Sequence, residues 1–78
     1  MKNIHIIKSI AKGSIAEEME LHPGDAVAEI NHHEIKDIFD YQYLIEDTYI
    51  ELLVLKENGE EWLLEIEKDE DEDLGITF

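Results

Sequence analysis

Residues 12–31, KGSIAEEMELHPGDAVAEIN, constrain this chain more than any other stretch, because nearly every residue has a defined backbone task at a fixed spacing. Gly13 can close a preceding strand in a conformation that other residues avoid. Ser14, with Glu17 three residues later, forms a capping box for a short helix over 15–20. His22-Pro23-Gly24-Asp25 places proline where a type II turn fixes φ and glycine where the turn needs φ above zero, so the chain reverses into a strand over 26–30. Asn31 opens the next turn. The order is therefore turn, capped helix, tight turn, strand.

Patterning on either side extends this frame. Residues 5–10 form a β-favouring run that ends at Gly13, which predicts a first strand. A brief edge strand is expected around Ile35, and Asp37 is placed to cap a second helix over 38–47. Helical spacing puts Ile38, Tyr41, Leu44 and Ile45 on one broad face and Phe39 and Tyr43 on a second apolar strip. Such a helix is either buried on both sides, or packs one side on the core and lines a groove with an edge. Residues 49–56 and 60–67 alternate as two strands, joined by Asn58-Gly59, the pair that a type I′ hairpin turn prefers. Trp62 is expected in the core, or at its rim with the indole N–H on a backbone acceptor. An acidic run over 69–73 precedes an apolar, β-compatible end, Leu74-Gly75-Ile76-Thr77-Phe78.

Seventy-eight residues predict one domain close to the lower size at which a single core suffices. The charge of −15, with six lysines and no arginine, argues against nucleic acid and anionic membrane surfaces, because phosphate contacts need clustered cations. Basic partners suit it better, although acidity alone also keeps a small domain soluble. Without cysteine the chain can supply neither a disulfide frame nor a thiolate metal site. No apolar run spans a bilayer, and the first ten residues lack the apolar centre and cleavage site of a signal peptide, so a cytoplasmic location is the expectation.

The succession Gly13, Ser14, Ala16, Leu21, Pro23-Gly24-Asp25, Val27, Ile30 and Asn31 resembles the middle of bacterial PDZ domains. Glu20 and His32 depart from the pattern, standing where that family usually has glycine. Leu74-Gly75-Ile76-Thr77-Phe78 looks like the family's Gly-Leu-Gly-Phe type loop and following strand, placed last as in a circularly permuted order. The resemblance implies an α+β, mainly β fold, a small partly open β-barrel of about five to six strands with two helices, spanning 1–78 as a single domain. It also implies β-strand addition of a protein or peptide in a groove between helix 38–47 and strand 75–78. The implied ligand-binding residues are Leu74, Gly75, Ile76, Thr77, Phe78, Ile38, Tyr41 and Ile45.

The whole chain is also similar to the N-terminal segment of bacterial radical-S-adenosylmethionine-like iron–sulfur proteins of unknown function, through GSIAEE, PGD, EINHHEIKDIFDY, the NGEEW hairpin and KDEDEDLGITF. That similarity implies a piece of a longer protein whose cysteine-rich part lies elsewhere, and it gives this chain no cofactor. The expected partner is a protein or peptide, including the remainder of the parent chain. The alternative is a structural or dimerisation domain without a peptide ligand, supporting the downstream region.

Chemistry beyond binding finds little footing in the residues. Asp69, Asp71 and Asp73 alternate like the start of a calcium loop, but Leu74 occupies the place of the required glycine and no bidentate glutamate follows. His32 and His33 are adjacent and point apart, a poor ligand pair. The serines are Ser9 and Ser14, and Ser14 already caps a helix, so no enzyme activity is expected. Five carboxylates immediately before Leu74 are either a solvated loop or part of the groove. Like charges a few ångströms apart cost roughly 1 kcal/mol even in water, so a free peptide C-terminus is expected to bind poorly, and an internal, basic or intramolecular segment better.

Overall fold

The computed structural model describes residues 4–78. Seven strands and two helices follow one another as β1 (His5–Ile6), β2 (Ser9–Ile10), α1 (Ile15–Glu18), β3 (Ala26–Ile30), β4 (His33–Glu34), α2 (Ile38–Leu44), β5 (Tyr49–Leu55), β6 (Glu61–Glu67) and β7 (Ile76–Thr77). The fold is α+β and mainly β. A five-stranded antiparallel sheet runs in the order β1-β3-β5-β6 with β4 beside β3, and β2 pairs with β7 in a second, two-stranded sheet. The sheets do not close into a single barrel.

The count exceeds the expected five to six strands because the first run divides at Ile7. Its first half pairs with β3 and its second with β7. Ile7 itself is buried; its N–H donates to the Asp25 carbonyl at 2.8 Å, while the Lys8 N–H donates to Thr77 at 2.7 Å. One extended segment thus crosses from one sheet to the other.

Helix α1 is built as its capping residues require. The Glu17 N–H donates to Ser14 Oγ at 3.2 Å, and Glu17 Oε1 accepts from the Gly13 N–H at 2.9 Å. At its end, the N–H groups of Glu20 and Leu21 reach back to the carbonyls of Glu17 and Ala16, a Schellman ending, so the helix stops at Glu18 and not at residue 20. Glu20 holds φ at 64°, the left-handed value glycine would take without steric cost. The turn at residues 22–25 is closed by the Asp25 N–H on the His22 carbonyl at 3.1 Å, with Gly24 at φ 101°.

The type I′ turn falls at a different hairpin from the one expected. Ile30 pairs with His33, leaving Asn31 and His32 as a two-residue loop with φ of 52° and 66°. Asn31 is anchored to β5 in both directions: its N–H donates to the Glu51 carbonyl and its Oδ1 accepts from the Glu51 N–H, each at 2.8 Å. At the β5–β6 hairpin only Gly59 has positive φ. There the Gly59 N–H reaches Lys56 at 2.9 Å and the Lys56 N–H reaches Glu60 at 2.7 Å, the three-residue loop with a glycine bulge.

The core lies between the five-stranded sheet, α2 and the Ile7 crossing. Ile50, Leu52 and Val54 of β5 are buried on one face, against Val27 and Ile30 of β3 and Ile66 of β6. A bulge at Ala28 in β3 lets Ala26, Val27 and Ala28 all be buried in succession. Ile35 is buried just beyond β4, which ends one residue before it. Helix α2 ends at Leu44, short of the expected residue 47. It has no basic residue in its last turn, and Glu46 and Asp47 would extend it with carboxylates at the negative end of its dipole. Only one side of α2 is covered. Tyr41 is buried, whereas Phe39 and Tyr43 are 74% and 78% exposed, so the second apolar strip is not part of the core.

Of the three non-glycine residues at glycine-favouring φ, Glu20 and His32 give a direct test. Glu20→Gly and His32→Gly are each expected to raise unfolding stability by about 0.5–1 kcal/mol, because left-handed backbone costs an L-residue roughly 1–2 kcal/mol and the added chain entropy of glycine offsets part of that gain. Urea denaturation measures the change. A loss of stability in both variants would contradict the assigned turns.

Candidate functional site

The segment 74–78 runs along β2 and beside α2. The Ala11 N–H donates to the Gly75 carbonyl at 2.8 Å and the Lys8 N–H to the Thr77 carbonyl. By strand alternation, the Ile76 N–H and C=O and the Phe78 N–H therefore turn away from β2.

The eight implied site residues do not form one uniform lining. Leu74 is buried in the core and offers no side chain to a ligand. Gly75 holds φ at 86°, and a Cβ there would run into the Ser14 side chain, so its close approach is to the cap of α1 within the chain itself. Ile76 and Phe78 are half-buried and Thr77 is exposed. On α2, Tyr41 is buried and Ile38 is 44% exposed, and Ile45 at its C-cap is half-buried.

Phe78 divides the space between strand and helix. Its ring meets Tyr41 edge to face with centroids 4.8 Å apart, and His5 at 6.0 Å. His5 is itself held by a 2.7 Å hydrogen bond between Nε2 and the Ile35 carbonyl. At this end strand and helix touch through their rings. At the other end an open cleft of about 750 Å³ is lined by Gln42 of α2, by Ile45 and Glu46 just beyond its end, and by Glu70, Asp71, Glu72 and Asp73. Five of those seven residues carry carboxylates.

The acidic segment has internal order. The Glu72 N–H donates to the Asp69 carbonyl at 3.0 Å, and Glu72 Oε1 accepts from the Asp69 N–H at 3.2 Å. Lys68, itself buried, directs its Nζ to the carbonyls of Asp69 and Glu70 at 3.0 and 3.4 Å. Most informative is Asp73: its Oδ1 accepts from the Gly75 N–H at 3.0 Å. The Gly75 N–H is thus already engaged by a carboxylate of the chain itself.

Tyr41, in the core beneath α2, carries an unusual feature. It is 4% exposed, and its hydroxyl is buried with no hydrogen-bond partner. Burial, and secondarily the negative charge of Asp73, hold the phenol well above the ordinary tyrosine range. It stays a neutral donor at any physiological pH.

Sequence reasoning missed Gln42 and Glu46, which follow Ile38 at helical spacings of four and eight, and the Asp73 to Gly75 bond. The signal for the latter is legible in hindsight, since an aspartate two residues before a glycine is a standard way for a side chain to satisfy a nearby backbone N–H. His32 stands 3.6 Å from Glu51 and is largely exposed. Among the described residues no group of three or more His, Asp or Glu side chains is placed to hold a metal ion, and no helix is long and apolar enough to cross a membrane.

No protein-family model matches this chain, and no curated protein matches it significantly.

Replacing the unpaired hydroxyl is a test of this geometry. Tyr41→Phe is expected to leave stability unchanged or to raise it by up to about 1 kcal/mol, since a buried unsatisfied hydroxyl costs about 1–3 kcal/mol. Thermal unfolding at neutral pH checks this. A loss of more than about 1 kcal/mol would show that the hydroxyl has a partner in solution.

Proposed function

We propose that this chain is a PDZ-like, non-catalytic binding module, which takes a basic or internal peptide segment beside β7 and does not take a free C-terminus. Supporting the scaffold are the order of elements, the two capped helices and the Phe78 ring set against Tyr41 of α2. The observation that carries the ligand preference is the Asp73 carboxylate on the Gly75 N–H. A ligand carboxylate arriving there meets an occupied donor and the lining carboxylates of Glu46 and residues 70–73, whereas a lysine or arginine side chain meets charge of the opposite sign. The outward amides of Ile76 and Phe78 supply the ladder bonds that strand addition requires.

A structural role without a peptide ligand is the second reading, favoured by the Phe78 ring closing onto Tyr41 of α2 within the chain itself. In that case the module supports the remainder of a longer protein, for which the similarity to radical-S-adenosylmethionine-like proteins is the only pointer.

Matched lysine-containing peptides with free and amidated C-termini separate the readings. The amidated form is expected to bind at least as well as the acid, with amide shifts at Ile76, Phe78, Gln42 and Ile45. Asp73→Ala should restore affinity for the free acid by freeing the Gly75 N–H. A clear preference of the unaltered chain for the free acid would sink the proposed ligand class; absence of any shift at these residues would leave the structural role.

A further inference from the structure

Strand β6 has a second side that the fold leaves open. It pairs with β5 over its full length, from Leu55↔Glu61 to Tyr49↔Glu67 without a register break, and among the described residues no strand lies on its other side. The hydrogen bonds at the two ends fix the phase of the ladder. Lys56 N–H donates to Glu60 and Lys68 N–H to Thr48, so Trp62, Leu64 and Ile66 direct their backbone groups to β5. By alternation Glu61, Leu63, Glu65 and Glu67 direct theirs outward.

The side chains of those same four residues point to solvent, and Leu63 among them is 53% exposed. They continue a zoned surface on β5, where Leu63 lies beside Leu53 and Glu65 beside Glu51. Protected sheet edges carry lysine, proline or a bulge. This one has no lysine, proline or bulge along its seven residues; its only guarding charges are the carboxylates of Glu61, Glu65 and Glu67.

A second copy of the chain does not fit the edge. When two β6 strands pair antiparallel through their outward residues, every register with three or more such pairs sets glutamate opposite glutamate, and like charges directly opposite one another are destabilising. The same row is complementary to a strand of the opposite sign. We propose that the β6 edge adds a basic β-strand from a protein partner, with lysine or arginine opposite Glu61, Glu65 and Glu67 and an apolar residue opposite Leu63. This edge is separate from the cleft beside α2 and does not depend on it.

The test is an amide titration of the whole chain with a blocked seven-residue peptide. The peptide has lysine opposite Glu61, Glu65 and Glu67 in antiparallel register, valine opposite Leu63 and threonine between, with both ends capped. Saturable shifts and slowed amide exchange are expected at Glu61, Leu63, Glu65 and Glu67, weakening as salt is raised. A peptide with glutamate in place of each lysine should bind at least about tenfold more weakly. The doubly substituted Glu61→Lys, Glu65→Lys chain should reverse that preference while its core amides stay unmoved. Equal response to both peptides, no response at millimolar peptide, or concentration-dependent shifts at β6 without peptide would overturn the proposal. Shifts confined to Ile76, Phe78 and α2 would also overturn it, while supporting the cleft beside β7 as the binding site.

Discussion

The carboxylate of Asp25 joins three separate parts of the chain. Its Oδ2 accepts from the His22 N–H at 2.9 Å and from Lys56 Nζ at 2.6 Å, and its Oδ1 accepts from the Glu57 N–H at 2.9 Å. Lys56 Nζ also donates to the Glu20 carbonyl at 2.8 Å and stands 4.3 Å above the Trp62 ring. One ion pair therefore clamps the end of α1, the turn into β3 and the β5–β6 hairpin. Asp25 is 2% exposed. Burial would raise its pKa, but the Lys56 ammonium and the two backbone donors outweigh that and hold it below the ordinary aspartate range. Pairs of this kind lose much of their attraction to desolvation, so their main effect is geometric, yet removing one partner leaves a buried charge uncompensated. Here the geometry set is the start of β3, and with it the placement of the central strand pair.

The scarcity of cations gives this pair a further consequence. Of six lysines, Lys56 is committed to Asp25 and Lys68 is folded under the root of the acidic segment. These two cations are thus engaged within the fold. Two outward-facing regions are strongly negative, the cleft at residues 70–73 and the β6 edge. Ionic strength should modulate each, because exposed charges are screened over a Debye length of about 8 Å at physiological salt.

Local backbone chemistry was readable from the sequence, and tertiary demands were not. Ser14 with Glu17, Asp37 as a cap, Pro23-Gly24 and the alternation in β5 and β6 each act within a few residues, so spacing alone determined them. The division of the first strand at Ile7 depends on which sheet each half meets, and no local pattern records that. Asn58-Gly59 has the preferred composition for a type I′ turn, yet the turn forms at Asn31-His32, where the Glu51 backbone anchors Asn31 at the expense of an unfavourable φ at His32. Phe39 and Tyr43 have core composition but lie on the side of α2 that faces no sheet. Around the candidate site, the helix from Ile38 and the extended end at 74–78 were legible as elements; the Asp73 bond to Gly75 and the ring of Phe78 against Tyr41 depend on how those segments meet.

The dependence of the fold on Asp25 and Lys56 is tested most directly by a double-mutant cycle with Asp25→Asn and Lys56→Met, followed by urea unfolding. The coupling between the two residues should be about 2 kcal/mol or more, with the double variant more stable than the sum of the single losses predicts. Losses that add within about 0.5 kcal/mol would show that the two side chains act independently and that the clamp does not organise the structure.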